Sequence, residues 1–147
     1  MNDKMSKFVM AILFLGVVQS ASASVVLKDH HQLLAALNAG HTVKVKVDLT
    51  ACSPEKGTEP AQSQGGLRLT AYRVTPDGAI SFADDHFTVS NQGTPIRQLI
   101  RYSVLENNTV TVKVDMFSLP AYTPYTHTYA YLCPLNQGIR LLSSHPN

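Results

Sequence analysis

Three adjacent residues, Asp84, Asp85 and His86, have the side chains best suited to chemistry in this chain. Two carboxylates and an imidazole are typical of metal sites and of acid–base pairs. Because neighbouring strand residues point to opposite faces, Asp84 and His86 are expected on one face and Asp85 on the other. With His127 they define one hypothesis, a small periplasmic hydrolase or metal-dependent enzyme. The alternative is that Asp is common near strand starts because it favours turns.

Other polar residues also allow two interpretations. Arg97 and Arg101 share one face of a predicted strand, where two guanidinium groups suit an anionic ligand. Cross-strand pairing with Asp48 or Asp115 is the alternative and the favoured interpretation. His30 and His31 are helix neighbours about 100° apart, so this spacing does not let them share a metal.

Alternation along the segment from Tyr125 to Cys133 places Tyr125, His127, Tyr129 and Tyr131 on one face. Such a face suits either a binding groove or the inner wall of a small barrel. The motifs G-x-S-x-G, H-E-x-x-H and G-x-G-x-x-G are absent from the sequence. We therefore assign no catalytic residue, no metal ligand and no cofactor from the sequence.

The elements that position these residues are mostly strands. One helix is predicted over residues 30–39, capped by Asp29 with Gln32 three residues later. Residues 42–49 and 109–117 alternate apolar and polar side chains, which is typical of antiparallel strands with one buried face. Further strands are predicted at 67–74, 79–82, 86–90, 96–106, 125–133 and 139–142. The pattern predicts a mainly β fold: an antiparallel meander of about 7–8 strands, curled into a small barrel or half-barrel.

One connection, residues 50–66, is long and lacks apolar periodicity, so it is expected to be functional or mobile. A structural or inhibitory role for this loop would require it to be ordered and packed.

The N-terminus has the layout of a secretory signal peptide: Lys4 and Lys7, an apolar run over 8–18, and a small-residue site before Ser24. We expect cleavage between Ala23 and Ser24, which leaves residues 24–147 as one β-rich domain. The run is too short to cross a bilayer, and no later segment approaches membrane length. A periplasmic or secreted location is therefore predicted, without an integral membrane segment.

Composition limits the partners and the redox state. Of the 12 basic and 10 acidic residues, 10 and 9 remain once Lys4, Lys7 and Asp3 are removed, so no nucleic-acid footprint is expected. Cys52 and Cys133 both remain, and an oxidising compartment favours a disulfide between them. A free-thiol or metal role is the alternative, but neither cysteine has metal-site spacing.

The order of the motifs resembles the VirK family of small exported bacterial proteins. The resemblance rests on the Leu-Leu-Ala-Ala-Leu helix, the Val-Lys-Val-Asp-Leu strand before Cys52, His86-Phe87-Thr88, Pro95-Ile96-Arg97 with Ile100-Arg101-Tyr102, and the strand ending at Cys133. It implies a virulence-associated exported protein of Gram-negative bacteria, and implies no reaction or catalytic residue. We therefore expect a non-enzymatic binding module for an unknown protein or small-molecule ligand.

Overall fold

The structure of the protein is a computed structural model that describes residues 24–144. The predicted signal peptide, residues 1–23, lies outside the described residues, so the predicted cleavage site is at their boundary. Among residues 24–144, no helix has the length and apolar character needed to cross a membrane.

Eleven strands, one α-helix and one 3-10 turn make up the described chain. In chain order they are β1 (Val25–Leu27), α1 (His30–Asn38), β2 (Thr42–Asp48), the 3-10 turn (Leu49–Ala51), β3 (Ser53–Pro54), β4 (Gln64–Leu69), β5 (Arg73–Val74), β6 (Ile80–Val89), β7 (Pro95–Val104), β8 (Thr109–Ser118), β9 (Thr123–Pro124), β10 (Tyr129–Pro134) and β11 (Ile139–Ser144).

The strands divide between two antiparallel sheets that share one hydrophobic core. The small sheet has the order β1-β11-β2-β4, and the large sheet has the order β3-β10-β8-β7-β6-β5, with β9 paired to β8. The mainly β, antiparallel prediction is confirmed, and β5 to β8 form the expected meander. Neither sheet closes on itself among the described strands, so the open, curled form describes the fold better than a barrel.

Helix α1 begins as the sequence predicts. The Asp29 carboxylate accepts a hydrogen bond from the Gln32 N–H at 2.8 Å, and Gln32 Oε1 accepts from the Lys28 N–H at 2.9 Å. Leu33 and Leu37 are buried in the shared core. A helix of 9 residues is too short to be stable alone, so this packing must hold it in place.

The buried His30 ties the start of α1 to two turns of the large sheet. Its Nε2 donates to the Gly78 carbonyl at 2.9 Å, and its backbone N–H donates to Asn108 Oδ1 at 2.9 Å. Gly78 lies in the β5–β6 turn and Asn108 in the β7–β8 turn. The helix therefore closes the end of the sandwich where these turns lie.

The Cys52–Cys133 disulfide lies where the chain passes from the large sheet to the small sheet. The two Sγ atoms are 2.08 Å apart, and the cysteines are separated by 81 positions in the sequence. Gly138, between β10 and β11, packs against this bridge: a Cβ there would lie 2.5 Å from Cys52 Sγ. Only glycine fits, so the disulfide and the corner are packed as one unit.

The inner face of the large sheet is organised in rows that run across β6, β7, β8 and β10. The register defines four of them: Ile80, Val104, Val110 and Cys133; Phe82, Tyr102, Val112 and Tyr131; Asp84, Ile100, Val114 and Tyr129; and His86, Gln98 and Met116 on the first three strands. The first two rows are buried, whereas most of the third and the fourth are partly or fully exposed. Beyond them, Ile96 is buried again.

Candidate functional site

A cleft of about 280 Å³ opens between the two sheets, over the third and fourth rows. The large sheet contributes an apolar floor and a polar rim, and the small sheet with its preceding loop contributes the opposite wall. The lining residues are Val47, Leu49, Ser63, Gln64, Gly65, Gly66, Asp84, His86, Gln98, Ile100, Tyr102, Val112 and Val114. The volume is slightly below that of clefts that bury drug-sized molecules, so the cleft suits a smaller ligand.

Strand alternation explains how the polar rim forms. Asp84 and His86 are two residues apart on β6, so they share the inner face, as predicted. Gln98 lies directly opposite His86 on β7, and Ile100 lies opposite Asp84. The large sheet thus contributes a carboxylate, an imidazole and an amide beside its apolar floor.

Glycine keeps the opposite wall of the cleft thin. Gly65 and Gly66 are the second and third residues of β4 and carry no side chain to fill the space. At Gly66 the requirement is strict, because a Cβ would lie 2.6 Å from the Val45 carbonyl oxygen on the neighbouring strand. Since that obstacle is backbone, only glycine lets β4 pair with β2 here.

Tyr102 lies where the buried core meets the cleft, and its environment favours the neutral phenol. Burial, and secondarily the negative charge of Asp84, raises the pKa of Tyr102 to about 12. The ring stacks on Phe82 with 5.0 Å between centroids. Asp84 and Tyr102 both line the cleft, which places the charge of Asp84 near this phenol.

The alternative hypothesis required Asp84 and His86 to act together with His127, and the structure does not bring His127 to them. His127 lies between β9 and β10, is exposed, and packs its ring against Tyr129 at 4.6 Å between centroids. It does not line the cleft. Within the part of the chain that the structure describes, no three His, Cys, Asp or Glu side chains are grouped so that they could hold a metal ion. The physical reason is that residues 125–128 are not part of a strand, so the alternation that would align His127 ends at Tyr129.

The two arginines of β7 pair with acidic residues on neighbouring strands, which was the favoured interpretation. Arg101 contacts Asp115 at 2.7 Å, and Arg97 pairs with Asp85. Asp48 instead accepts hydrogen bonds from Thr50 and Gln64. All four paired side chains belong to the outer face of the large sheet, so they do not contribute to the cleft.

The long connection over residues 50–66 is packed against β10. The Glu55 N–H donates to the Ala130 carbonyl at 2.8 Å, Thr58 Oγ1 accepts from the Ala130 N–H at 3.0 Å, and Tyr131 donates to the Glu59 carbonyl at 3.2 Å. The end of the connection, Ser63 to Gly66, forms part of the cleft wall. This segment therefore positions the cleft.

Sequence reasoning missed Gln98 and the 63–66 wall. A signal for Gln98 was present, because this amide interrupts an apolar face formed by Ile96, Ile100, Tyr102 and Val104. The 63–66 wall had no comparable signal, since a polar stretch rich in glycine looks the same whether it faces solvent or another sheet.

Three comparisons place the chain among known proteins. The family model described as "VirK protein" matches residues 26–122. The chain is 41% identical over 105 residues to an uncharacterized protein in the pinF2 3′ region of Rhizobium radiobacter, covering 71% of this chain and 72% of that protein. It is 34% identical over 134 residues to the uncharacterized protein y4wH of Sinorhizobium fredii, covering 90% of this chain and 92% of that protein.

A solved structure shares the fold. The crystal structure of lpg1832, a VirK family protein from Legionella pneumophila, superposes with a TM-score of 0.71 at 20% identity. The superposition covers 80% of this chain and 98% of that one. The family match extends from β1 through β8. It therefore includes the cleft residues Asp84, His86, Gln98 and Tyr102. The chain is thus a member of the VirK family.

Proposed function

We propose that this protein is an exported, non-enzymatic binding protein and that the cleft between its sheets holds a small, mainly apolar ligand. The observation that carries the proposal is the change from a buried apolar face to an open, polar-rimmed cleft along β6, β7 and β8. Clefts with an apolar floor and a few convergent polar groups are typical ligand sites.

The rim defines the chemistry of the ligand. Asp84 has no cationic partner within ion-pair distance among the described residues, so its carboxylate is available to accept hydrogen bonds. Gln98 and His86 add an amide and an imidazole on the same side. Ile100, Val114 and Leu49 supply the apolar contact. The complementary ligand is a compact apolar group that carries an N–H or O–H donor at one end.

A neutral fluorescent probe, N-phenyl-1-naphthylamine, tests the cleft, because it combines an apolar body with one N–H donor. Its fluorescence should increase and saturate with the protein. Ile100→Gln should weaken binding at least about tenfold, since burying an unpaired amide costs roughly 1–3 kcal/mol. Leu99→Gln is the matched control, because the neighbouring residue points to the outer face of the same strand.

A second pair of variants tests the rim. Asp84→Asn should weaken probe binding about threefold or more, whereas Asp85→Asn, on the opposite face of β6, should leave it unchanged. Circular dichroism and unfolding curves must show that all variants are folded, and Ile100→Ala replaces Ile100→Gln if the latter does not fold. Equal binding by the inner-face and outer-face variants would disprove the cleft as the ligand site.

Export and a virulence-associated role are the remaining parts of the proposal. They are supported by the signal-peptide pattern, the disulfide and membership of the VirK family. Intact mass of the protein from a periplasmic or culture fraction should correspond to a chain that starts at Ser24. A mass that includes residues 1–23, or recovery only with membranes after a salt wash, would refute this part. A deletion strain that loses no fitness in its host would refute the virulence role.

A further inference from the structure

The outer face of the large sheet holds a second concavity, separate from the cleft. It has a volume of about 490 Å³. Three cations line it, Arg73, Arg101 and Lys113, and no acidic residue does. Its remaining lining residues are small, hydroxyl-bearing or aromatic: Ala71, Tyr72, Ser81, Phe82, Ala83, Tyr102, Ser103 and Thr111.

A line of polar side chains crosses the floor of this concavity. The register places Arg73 opposite Ser81, Ser81 opposite Ser103, and Ser103 opposite Thr111. Ser81 and Ser103 are joined by a hydrogen bond of 3.1 Å between their hydroxyl oxygens. Three hydroxyl groups, each able to donate and accept hydrogen bonds, therefore form a row across β6, β7 and β8, and Ser81 is the one next to Arg73.

Two of the cations oppose each other without sufficient counter-charge. Arg101 lies directly opposite Lys113, where Cβ atoms are about 5 Å apart and like charges are destabilising. Asp115 pairs with Arg101 at 2.7 Å. Neither Lys113 nor Arg73 has a carboxylate within ion-pair distance among residues 24–144. A bound anion would offset this repulsion, whereas a neutral ligand would not.

The shape of the concavity indicates that the anion is attached to a larger group. Ala83, opposite Arg101, is small and leaves space beside the guanidinium. Tyr72 forms part of the wall and is 39% exposed, so it offers an aromatic surface next to the cations. The volume lies within the range of sites for small organic ligands.

We propose that this concavity, hereafter the basic depression, binds a phosphorylated sugar. The phosphate is held by Arg73, Arg101 and Lys113, the sugar hydroxyls are bonded by Ser81, Ser103 and Thr111, and the ring rests against Tyr72. This site is independent of the cleft between the sheets, because no residue other than Tyr102 lines both.

Calorimetric titration of the purified protein with glucose 1-phosphate, inorganic phosphate and glucose tests the proposal. We expect glucose 1-phosphate to bind, inorganic phosphate to bind at least about threefold more weakly, and glucose not to bind. Binding should weaken as salt rises from about 50 to 300 mM, because exposed charges are screened. Equal affinity for both phosphates would overturn the sugar assignment, and no binding of glucose 1-phosphate would overturn the site.

Charge-matched variants locate the site. Lys113→Gln should lower affinity for glucose 1-phosphate about fivefold or more. Lys44→Gln is the control, because Lys44 also lies opposite an arginine, Arg68, but on the small sheet and outside the depression. Equal losses in the two variants would show a general charge effect and contradict the proposal.

The aromatic wall has its own test. Tyr72→Ala should remove the preference for glucose 1-phosphate over inorganic phosphate while leaving phosphate affinity unchanged. A preference that survives this substitution would refute the role of Tyr72. Lys113 and Tyr72 do not line the cleft, so neither substitution should change the binding of N-phenyl-1-naphthylamine. Failure of this proposal is therefore distinguishable from failure of the cleft proposal.

Discussion

At one end of the large sheet, the first row, Ile80, Val104, Val110 and Cys133, is 0% exposed throughout. Four residues further along the same strands is the third row, of which Asp84, Ile100 and Val114 line a cleft. Backbone geometry and pairing are continuous between the two rows. The two rows differ in what packs over them. Helix α1 and the disulfide corner cover the first row, whereas the thin glycine wall leaves the third row open.

This difference separates stability from binding along one continuous sheet. Side chains of the first row have apolar neighbours on all sides, so their removal leaves a cavity. Side chains of the third row face the cleft, where a lost methyl group is replaced by solvent or ligand. Equivalent substitutions in the two rows should therefore differ in their cost to stability.

Removal of the disulfide should have the largest effect, because Cys133 belongs to the first row and anchors the corner. The variant Cys52→Ala with Cys133→Ala should lose about 4–5 kcal/mol of unfolding free energy, since the bridge closes a loop of 81 positions. Urea denaturation measures the loss. The native protein, denatured without reductant, should show no reactive thiol, and two titratable thiols in freshly exported protein would contradict the bridge.

Matched isoleucine substitutions compare the rows directly. Ile80→Ala should cost about 2–5 kcal/mol, which is typical of a fully buried isoleucine. Ile100→Ala should cost roughly half as much, because its side chain is already partly exposed. Urea denaturation measures both changes. Equal costs would mean that the cleft is closed in solution.

The sequence predicted the strands better than their assembly. Periodicity identified β2 and β8 nearly to the residue, and the Asp29 cap identified the start of α1. Strand faces left Asp48 and Asp115 as partners for the two arginines of β7, and Arg101 pairs with Asp115. The division into two sheets could not be predicted, because both sheets have the same alternating pattern and only tertiary packing decides which strands become neighbours.

The candidate site was only partly predictable for the same reason. Asp84 and His86 share a face by alternation, so their joint position followed from the sequence. The absence of His127 from the cleft depends on where β10 begins, and strand ends carry the weakest local signal. The basic depression brings together Arg73, Arg101 and Lys113, which lie 12 to 40 positions apart on β5, β7 and β8, and no local pattern connects them.

Alkaline pH should destabilise the protein through Tyr102, at the boundary between the two regions. Burial raises the pKa of Tyr102 to about 12 from an ordinary value of 10.0. The phenol of Tyr102 therefore loses its proton at a lower pH in the unfolded chain than in the folded protein. Its contribution to the free energy of unfolding is complete below pH 10 and is lost as the pH rises to 12. The loss should be about 2 kcal/mol at pH 12. Burial also raises the pKa of Tyr131, so the contribution of Tyr102 must be isolated with a variant.

Tyr102→Phe isolates this contribution, because it removes the titrating hydroxyl and keeps the ring that stacks on Phe82. Unfolding free energies at several pH values from 9 to 12 should fall less steeply in the variant than in the native protein. Identical slopes would show that Tyr102 ionises normally and is accessible to solvent, which would extend the open region into the second row.

The smallest expected effect tests whether Asp84 acts on the interior of the cleft. Its charge is the secondary cause, after burial, of the raised pKa of Tyr102. Asp84→Asn should therefore lower the pKa of Tyr102 by a small amount, whereas Asp85→Asn, on the outer face of β6, should leave it unchanged. Spectrophotometric titration of the tyrosines near 295 nm, with Tyr102→Phe to identify the relevant transition, measures the shift. If Asp84 instead points out to solvent, its charge is screened and both variants should leave the pKa of Tyr102 unchanged. In that case the carboxylate is not available to a ligand in the cleft.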